Sequence, residues 1–244
     1  MAITDIQKKI IVADIVATLK SSSKLTKTTL RRSLSYKDHD FDDAFEFAIA
    51  GGIIIAEKGN WLNINDDTFS IKEDDYYDCV QSMLERYFTD KVGKAGTFIV
   101  KKTARKESKI VGRWTRPDFT VVTRRSFPYI KEVEFDIFTF EVKRPNDCDT
   151  LAVFEALAHN TVATRSFVFF PITAVQLNNT SQAERVKEEC GRHGVGLVLV
   201  NNDFKLEECN ILIDAQRRNL NPEKCSNFLQ SVLEADALAE LSRW

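Results

Sequence analysis

The sequence predicts an α/β protein in which helices flank a mixed sheet, preceded by a small helical unit with a β-hairpin. Apolar residues recur at helical spacing before residue 50, and from residue 73 onward helix and strand patterns alternate. The 244 residues are 43% hydrophobic and 29% charged, which is typical of a globular protein and sufficient for two domains. We expect one domain over residues 1–66 and a second over residues 73–244, joined by a polar linker.

The first domain is predicted to contain three helices and a hairpin. The predicted helices cover residues 3–19, 26–34 and 40–50, and the predicted strands cover 53–56 and 61–64. Phe41, Phe45 and Ile49 follow one another at four-residue spacing, so we expect them to face inward. The Lys58-Gly59-Asn60 turn favours the hairpin. This order of elements resembles a winged helix-turn-helix.

The third predicted helix and its lead-in are acidic, which argues against insertion of this helix into a DNA groove. Its acidic residues are Asp38, Asp40, Asp42, Asp43 and Glu46. Some of these carboxylates could simply cap the helix N-terminus. We therefore favour a protein contact or dimerisation for this unit. The second helix and its lead-in leave DNA contact open, because they carry Lys24, Lys27, Arg31 and Arg32.

The second domain is predicted to alternate between helix and strand. The predicted helices are residues 73–88, 150–164, 180–193 and a tail over 222–244, and the predicted strands are 96–101, 110–114, 118–123, 137–143, 167–170 and 195–200. The last strand is apolar on both faces, as an interior parallel strand should be. On the helix over 150–164 we expect Leu151, Phe154 and Leu157 to face the core.

Asp118, which follows Pro117, and the later Glu141-Val142-Lys143 are the residues that indicate chemistry. Carboxylate oxygens suit Mg²⁺, which binds proteins through one or two carboxylates. Glu141 and Lys143 share one face of a strand, and the Val142 carbonyl between them can also point at the metal. Lys143 can then orient a water nucleophile and stabilise charge on phosphorus. Whether Lys143 also accepts a proton depends on a lowered pKa and stays open.

Residues 114–122 and 138–143, in their predicted strands, resemble the PD-(D/E)xK nuclease superfamily, which has the restriction-endonuclease-like fold. The order of elements over residues 75–200 agrees with that family. The resemblance implies hydrolysis of phosphodiester bonds dependent on Mg²⁺ or Mn²⁺, with DNA as the favoured substrate and a 5′-phosphate as product. Prokaryotic restriction, repair or defence is the role that fold analogy suggests. Endonuclease and exonuclease activity both remain open.

The resemblance also implies roles for three polar residues on the flanking helices. The family often has a glutamate on the first core helix, and Glu85 is the candidate here; the alternative is a solvated residue paired with Arg86 or Lys91. Glu155 and His159 lie one helical turn apart, so they share a face and could brace the site or touch DNA. We do not expect His159 to bind the metal, because the site is rich in oxygen.

Basic residues concentrate between Lys94 and Lys131, where 11 lysines and arginines face two acidic residues, a net charge of 11 − 2 = +9. Such a segment suits a bound polyanion, although a solvated hairpin is the alternative. The candidates for phosphate contact, including one just outside this segment, are Arg116, Arg124, Arg125, Arg144, Lys101, Lys102, Arg105 and Lys106.

Two other function classes remain open. The chain could be a non-catalytic nucleic-acid-binding protein that keeps the nuclease-like fold, or a transcription regulator that works through its first domain. In these cases Asp118 is only a turn carboxylate and Lys143 only a strand-end lysine. If the protein does cut duplexes, a homodimer is favoured, because cutting both strands usually requires two active sites.

The five cysteines are odd in number and lack C-x-x-C spacing, so we expect free thiols in a reducing cytosol. No apolar leader and no run of about 18 apolar residues occurs, so we expect no signal peptide and no membrane span. The prediction is a cytoplasmic protein.

Overall fold

The computed structural model describes residues 3–22, 24–66, 68–104, 116–200, 209–219 and 221–244. The chain divides into two compact units, Met1–Asp75 and Tyr76–Trp244. Within the described residues, no helix combines the length and the apolar character needed to cross a bilayer.

The first unit contains three helices and a three-stranded antiparallel sheet of order β1-β3-β2. Its elements are α1 (Asp5–Ser21), β1 (Leu25–Thr26), α2 (Lys27–Ser33), α3 (Asp38–Ala50), β2 (Ile54–Ala56) and β3 (Trp61–Ile64). The predicted helices and hairpin are confirmed, and β1 was not predicted. Thr4 begins α1 with a capping box, accepting from the backbone N–H of Gln7.

The core of the first unit lies between α1, α3 and the sheet. Phe41 and Phe45 are buried as predicted, with ring centroids 5.8 Å apart. The inward prediction for Ile49 was wrong, since this side chain is 39% exposed. The inner face of α3 is completed instead by Ala44 and Ala48, whose small side chains are fully buried.

The second unit is built on a six-stranded mixed sheet of order β4-β5-β6-β7-β8-β9, in which β6, β7 and β8 are parallel. The strands are β4 (Gly96–Lys102), β5 (Phe119–Phe127), β6 (Ile130–Val142), β7 (Arg165–Phe170), β8 (Gly196–Val200) and β9 (Cys209–Ile213). The helices are α4 (Tyr77–Val92), α5 (Thr150–Ala158), α6 (Ala174–Asn178), α7 (Ala183–His193), α8 (Pro222–Val232) and α9 (Ala235–Leu241). The α/β architecture with helices around a mixed sheet is therefore confirmed.

Helices cover both faces of this sheet. Phe138 packs edge-to-face on Phe88 of α4 with ring centroids 4.9 Å apart. Its neighbour Ile137 points to the opposite face and joins a core cluster with Phe228 of α8. Val168 lies on that same face and packs with residues of α5 and α7. The strand ends that carry the predicted site therefore belong to a sheet that helices cover on both faces.

Several predicted details differ from the structure. Leu151 and Phe154 of α5 are 51% and 36% exposed, so their predicted core orientation was wrong, whereas Leu157 packs against the core as predicted. Ala152, Val153 and Ala156 are buried instead, because small side chains let the helix approach the sheet closely. The predicted C-terminal helix is two helices, and α6 and β9 were not predicted. The predicted strand over 110–114 lies outside the described residues.

Candidate active site

Asp118 lies directly before β5, and both of its carboxylate oxygens are hydrogen-bonded. The hydroxyl of Tyr77 donates to Oδ1 over 2.5 Å, and the backbone N–H of Val142 donates to Oδ2 over 2.8 Å. The side chain is buried, with 6% of the residue exposed. Three elements therefore meet at this carboxylate: the start of α4, the lead-in to β5 and the end of β6.

The backbone of Asp118 is also held from the β4 side. The backbone N–H of Thr103 donates to the Asp118 carbonyl over 2.7 Å. The Thr103 hydroxyl, which is fully buried, donates to the carbonyl of Pro117 over 2.6 Å. Together these bonds fix the Pro117-Asp118 turn against the end of β4.

The two halves of the predicted motif come together through the register of β5 on β6. Phe119 pairs with Phe140, so Asp118 and Glu141 are the next residues along these two antiparallel segments. The hydrogen bond from the Val142 backbone to Asp118 joins the same two segments. The structure thus brings Asp118 to the backbone of the Glu-x-Lys segment, and a metal shared by Asp118 and Glu141 stays a prediction.

Glu141, Lys143 and Glu155 form a compact charged cluster. The Lys143 ammonium lies 2.8 Å from Oε1 of Glu141 and 2.7 Å from Oε2 of Glu155. The three side chains are only 12%, 11% and 16% exposed, in the order Glu141, Lys143 and Glu155. Charges with so little contact with solvent are costly unless they are paired, and here the lysine is paired twice.

His159 completes the cluster from the end of α5. Its Nε2 lies 3.5 Å from Oε2 of Glu141, and the residue is 2% exposed. Burial alone would raise the pKa of Glu141, but the close contact with His159 and the charge of Lys143 together hold that pKa below its ordinary value. Glu141 is therefore ionised at neutral pH.

The structure does not place Glu85 in this cluster; it agrees with the alternative of a solvated helix residue. Glu85 is exposed on α4 and accepts a hydrogen bond from Gln81 over 2.9 Å. It lies eight residues beyond Tyr77, about 12 Å along the helix axis. The residue of α4 that contacts Asp118 is Tyr77.

Arg124 and Arg125 also lie away from the site, although they are close to it in sequence. Arg124 is six residues along β5 from Asp118, which corresponds to about 20 Å of extended chain. Arg125 pairs with Glu134 over 2.5 Å. These arginines therefore lie towards the opposite end of β5 from Asp118, and their contact with phosphate stays a prediction.

Four other predicted basic residues lie nearer to the motif, each with a partner. Lys102 lies 5.9 Å from the ring centroid of Tyr77, and Lys101 pairs with Asp236 over 3.0 Å. Arg116 donates to the Ser231 carbonyl over 3.1 Å, and burial lowers its pKa. Arg144 pairs with Asp147 over 2.6 Å. Arg105 and Lys106 lie outside the described residues.

The donor chemistry at this site fits a divalent cation that needs few protein ligands. Asp118 and Glu141 supply carboxylate oxygens, and Mg²⁺ needs only one or two carboxylates with water and substrate completing its shell. Among the described residues, no group of three or more His, Cys, Asp or Glu side chains is arranged to hold a metal. The site would thus supply a carboxylate pair rather than a cage made entirely of protein ligands.

Sequence reasoning missed Tyr77 and Thr103, which hold Asp118 from its two flanks. Neither residue belongs to a spacing pattern that points to the motif. Tyr77 follows another tyrosine at the start of a helix, and a buried aromatic residue is the ordinary interpretation of such a position.

Comparison with known proteins leaves the chain without a family assignment, because no family model and no curated protein matches it. A solved structure of a protein of unknown function from Silicibacter pomeroyi is similar to part of it. The two chains are 14% identical, the match covers 71% of this chain and 91% of the other, and the TM-score is 0.38. Such a distant similarity carries no argument about function.

Proposed function

We propose that this protein is a metal-dependent nuclease of the PD-(D/E)xK type, with DNA as its favoured substrate. The observation that carries the proposal is the hydrogen bond from the Val142 backbone to Asp118, which places the Asp half of the motif against the Glu-x-Lys half. A buried carboxylate is costly unless its oxygens are hydrogen-bonded, and both oxygens of Asp118 are.

The charge of the cluster supports a divalent cation. Asp118, Glu141 and Glu155 contribute three negative charges and Lys143 one positive charge, so −3 + 1 = −2 before any contribution of His159. A bound Mg²⁺ or Mn²⁺ would offset this charge, with Asp118, Glu141 and the Val142 carbonyl as its protein ligands. When bound, the metal supplies Lewis-acid stabilisation and a more acidic water.

The protein's own residues then position the reacting groups. Glu155 keeps Lys143 beside Glu141, so the ammonium stays next to the carboxylate pair. From that place the lysine can orient a water and stabilise negative charge on a phosphate. Asp118 is held by its own hydrogen bonds, so its carboxylate needs no reorganisation.

The order of elements supports the finer fold assignments that this function requires. In the second unit, a helix, an antiparallel strand pair, the Glu-x-Lys strand, a helix and a parallel strand follow one another, as in the restriction-endonuclease-like fold. In the first unit, three helices, a short strand and a hairpin have the order of a winged helix-turn-helix.

We propose a protein contact, rather than a DNA groove, for the first unit. Asp42 of α3 accepts hydrogen bonds from Lys27 and Arg31 of α2. These two cations are thus engaged within the unit, and α3 still presents further acidic residues. A homodimer or another protein partner fits such a surface better than phosphate does.

A non-catalytic nucleic-acid-binding protein is the second candidate. The observation that favours it is that Lys143 already pairs with one oxygen of Glu141, while Nε2 of His159 lies 3.5 Å from the other. Such a network satisfies its charges locally, and it would persist in a protein that had lost its metal.

Cleavage assays separate the two candidates. Plasmid, single-stranded DNA and RNA would be incubated with Mg²⁺, Mn²⁺ or EDTA and with wild type, Asp118→Ala or Lys143→Ala. The nuclease proposal predicts metal-dependent cutting that both variants lose. Lys224→Ala, which removes an exposed lysine from α8, is the matched control and should cut normally. Binding without cutting on every substrate would support the second candidate and overturn the first.

A further inference from the structure

Tyr77 is tied to Asp118 through a buried contact that no sequence motif explains. Its hydroxyl donates to Oδ1 of Asp118 over 2.5 Å, and the residue is only 4% exposed. A buried phenol needs a hydrogen-bond partner, and here the partner is the carboxylate proposed to bind metal.

The ring of Tyr77 is held independently of this hydrogen bond. It packs edge-to-face on Phe119, with ring centroids 5.5 Å apart, and Lys102 lies 5.9 Å from its centroid. Phe119 directly follows Asp118 in the chain. The Asp118-Phe119 segment therefore packs against the ring and accepts the hydrogen bond from its hydroxyl, so the phenol oxygen has little freedom to move.

The two hydrogen bonds to Asp118 use different oxygens and come from different elements. Tyr77 at the start of α4 holds Oδ1, while the Val142 backbone at the end of β6 holds Oδ2. A carboxylate held at both oxygens cannot rotate freely about its terminal bond. The orientation of the carboxylate is thus set before any ligand arrives.

We propose that Tyr77 is a positioning residue that fixes the Asp118 carboxylate for a divalent cation. This inference rests on the proposed function, because it assumes that Asp118 is a metal ligand. Residues that hold a ligand from behind typically contribute about 10- to 100-fold to metal affinity or activity. Tyr77 acts through Asp118 and need not touch the substrate.

The substitution Tyr77→Phe isolates this role, because it removes one hydroxyl and keeps the ring against Phe119. The matched control is Tyr87→Phe, which makes the same change on the same helix. The Tyr87 hydroxyl accepts from Lys91 over 3.1 Å and lies ten residues along α4, about 15 Å from Tyr77. Thermal unfolding of both variants without metal measures any general loss of structure.

Two readouts then test the inference: Mn²⁺ affinity by calorimetry, and the Mg²⁺ concentration needed for half-maximal cleavage. We expect Tyr77→Phe to weaken Mn²⁺ binding and to raise the Mg²⁺ midpoint by about 10-fold or more, with the rate at saturating Mg²⁺ within about threefold of wild type. Tyr87→Phe should change neither. A purely structural role would lower the melting temperature and leave the Mg²⁺ midpoint unchanged.

The outcomes for Tyr77 and for the nuclease proposal can be told apart. Unaltered Mn²⁺ affinity in Tyr77→Phe would overturn the Tyr77 inference and leave the nuclease intact. Wild type that binds Mn²⁺ but cuts nothing would overturn the nuclease, while a weakened Mn²⁺ affinity in Tyr77→Phe would still support the positioning role. Wild type that binds no Mn²⁺ would overturn both.

Discussion

The ammonium of Lys143 lies 2.7 Å from Oε2 of Glu155, so a helix residue twelve positions later in the chain holds the lysine of the motif. Because Glu141 contacts the same ammonium from the strand, Lys143 is fixed between strand and helix. These two carboxylate partners offset the cost of burying the Lys143 ammonium away from solvent.

Glu155→Gln should destabilise the protein by about 1 to 3 kcal/mol, the typical cost of losing a hydrogen bond to a charged group. Glu141 still faces Lys143, so the full penalty of an unpaired buried charge is avoided. Urea unfolding measures the effect. Glu184→Gln is the matched control, because Glu184 also pairs with a lysine but its side chain is 83% exposed. It should change stability by less than about 0.5 kcal/mol. Equal losses of stability in Glu155→Gln and Glu184→Gln would show that burial does not strengthen the pairing of Glu155 with Lys143.

Thr103→Val should destabilise the second unit, because it removes a buried hydroxyl and keeps the volume. The Pro117 carbonyl would lose its hydrogen bond from that hydroxyl. A buried acceptor left without a partner costs about 1 to 3 kcal/mol. Guanidinium unfolding would show this loss, and we also expect slower cleavage because Asp118 is attached to the same turn. A change below about 0.5 kcal/mol would show that this turn is not fixed by Thr103.

Asp42→Asn should destabilise the first unit only slightly, by less than about 1 kcal/mol, because the Asp42 side chain is 36% exposed. The hydrogen bond from Lys27 and the nearby charge of Arg31 hold the pKa of Asp42 below its ordinary value of 3.8. The Lys27–Asp42 pair therefore contributes stability above pH 3.8. This contribution is lost as the pH falls through the lowered pKa of Asp42.

The effect of Asp42→Asn should also shrink in high salt, since the pair is partly open to solvent. Thermal unfolding of wild type and variant at pH 7 in low and in 1 M salt measures this. A difference that is unchanged by salt would show that Asp42 acts through packing rather than charge.

The buried thiols should react slowly with alkylating reagents at pH 8. Burial raises the pKa of Cys190 to about 12 and raises the pKa values of Cys148 and Cys225. These groups then stay protonated at pH 8, and only the thiolate reacts. In a Cys209→Ser background, we expect rapid labelling of Cys79, which is half-buried, and labelling of the other three only after unfolding. Rapid labelling of all four in the native protein would contradict the described burial.

The sequence predicted the elements that have strong periodicity or clear turn chemistry. The hairpin around Gly59 and the strand over 195–200 follow directly from local pattern. Leu151 and Phe154 were misplaced because hydrophobicity alone favours large apolar side chains inward, whereas close packing on the sheet selected Ala152 and Ala156. This choice depends on the distance between layers, which no local pattern records.

The candidate site was predicted where it follows from strand register and missed where it depends on tertiary contacts. Asp118 and Glu141 could be linked because both lie at the ends of predicted strands. Tyr77 could not be found, since its link to Asp118 depends on where α4 begins relative to the sheet. Arg124 is close to Asp118 in sequence but distant in space, because six residues of extended strand separate them.

A double-mutant cycle on the cleavage rate tests most directly whether Asp118 and Glu141 act as one metal-binding pair, as we propose. Asp118→Asn, Glu141→Gln and the double variant would be compared with wild type at saturating DNA and fixed Mg²⁺. If the two carboxylates hold one metal, each single variant loses at least about 100-fold, and the double variant is no slower than the slower single variant. Losses that multiply, or a single variant that cuts at the wild-type rate, would contradict a shared site.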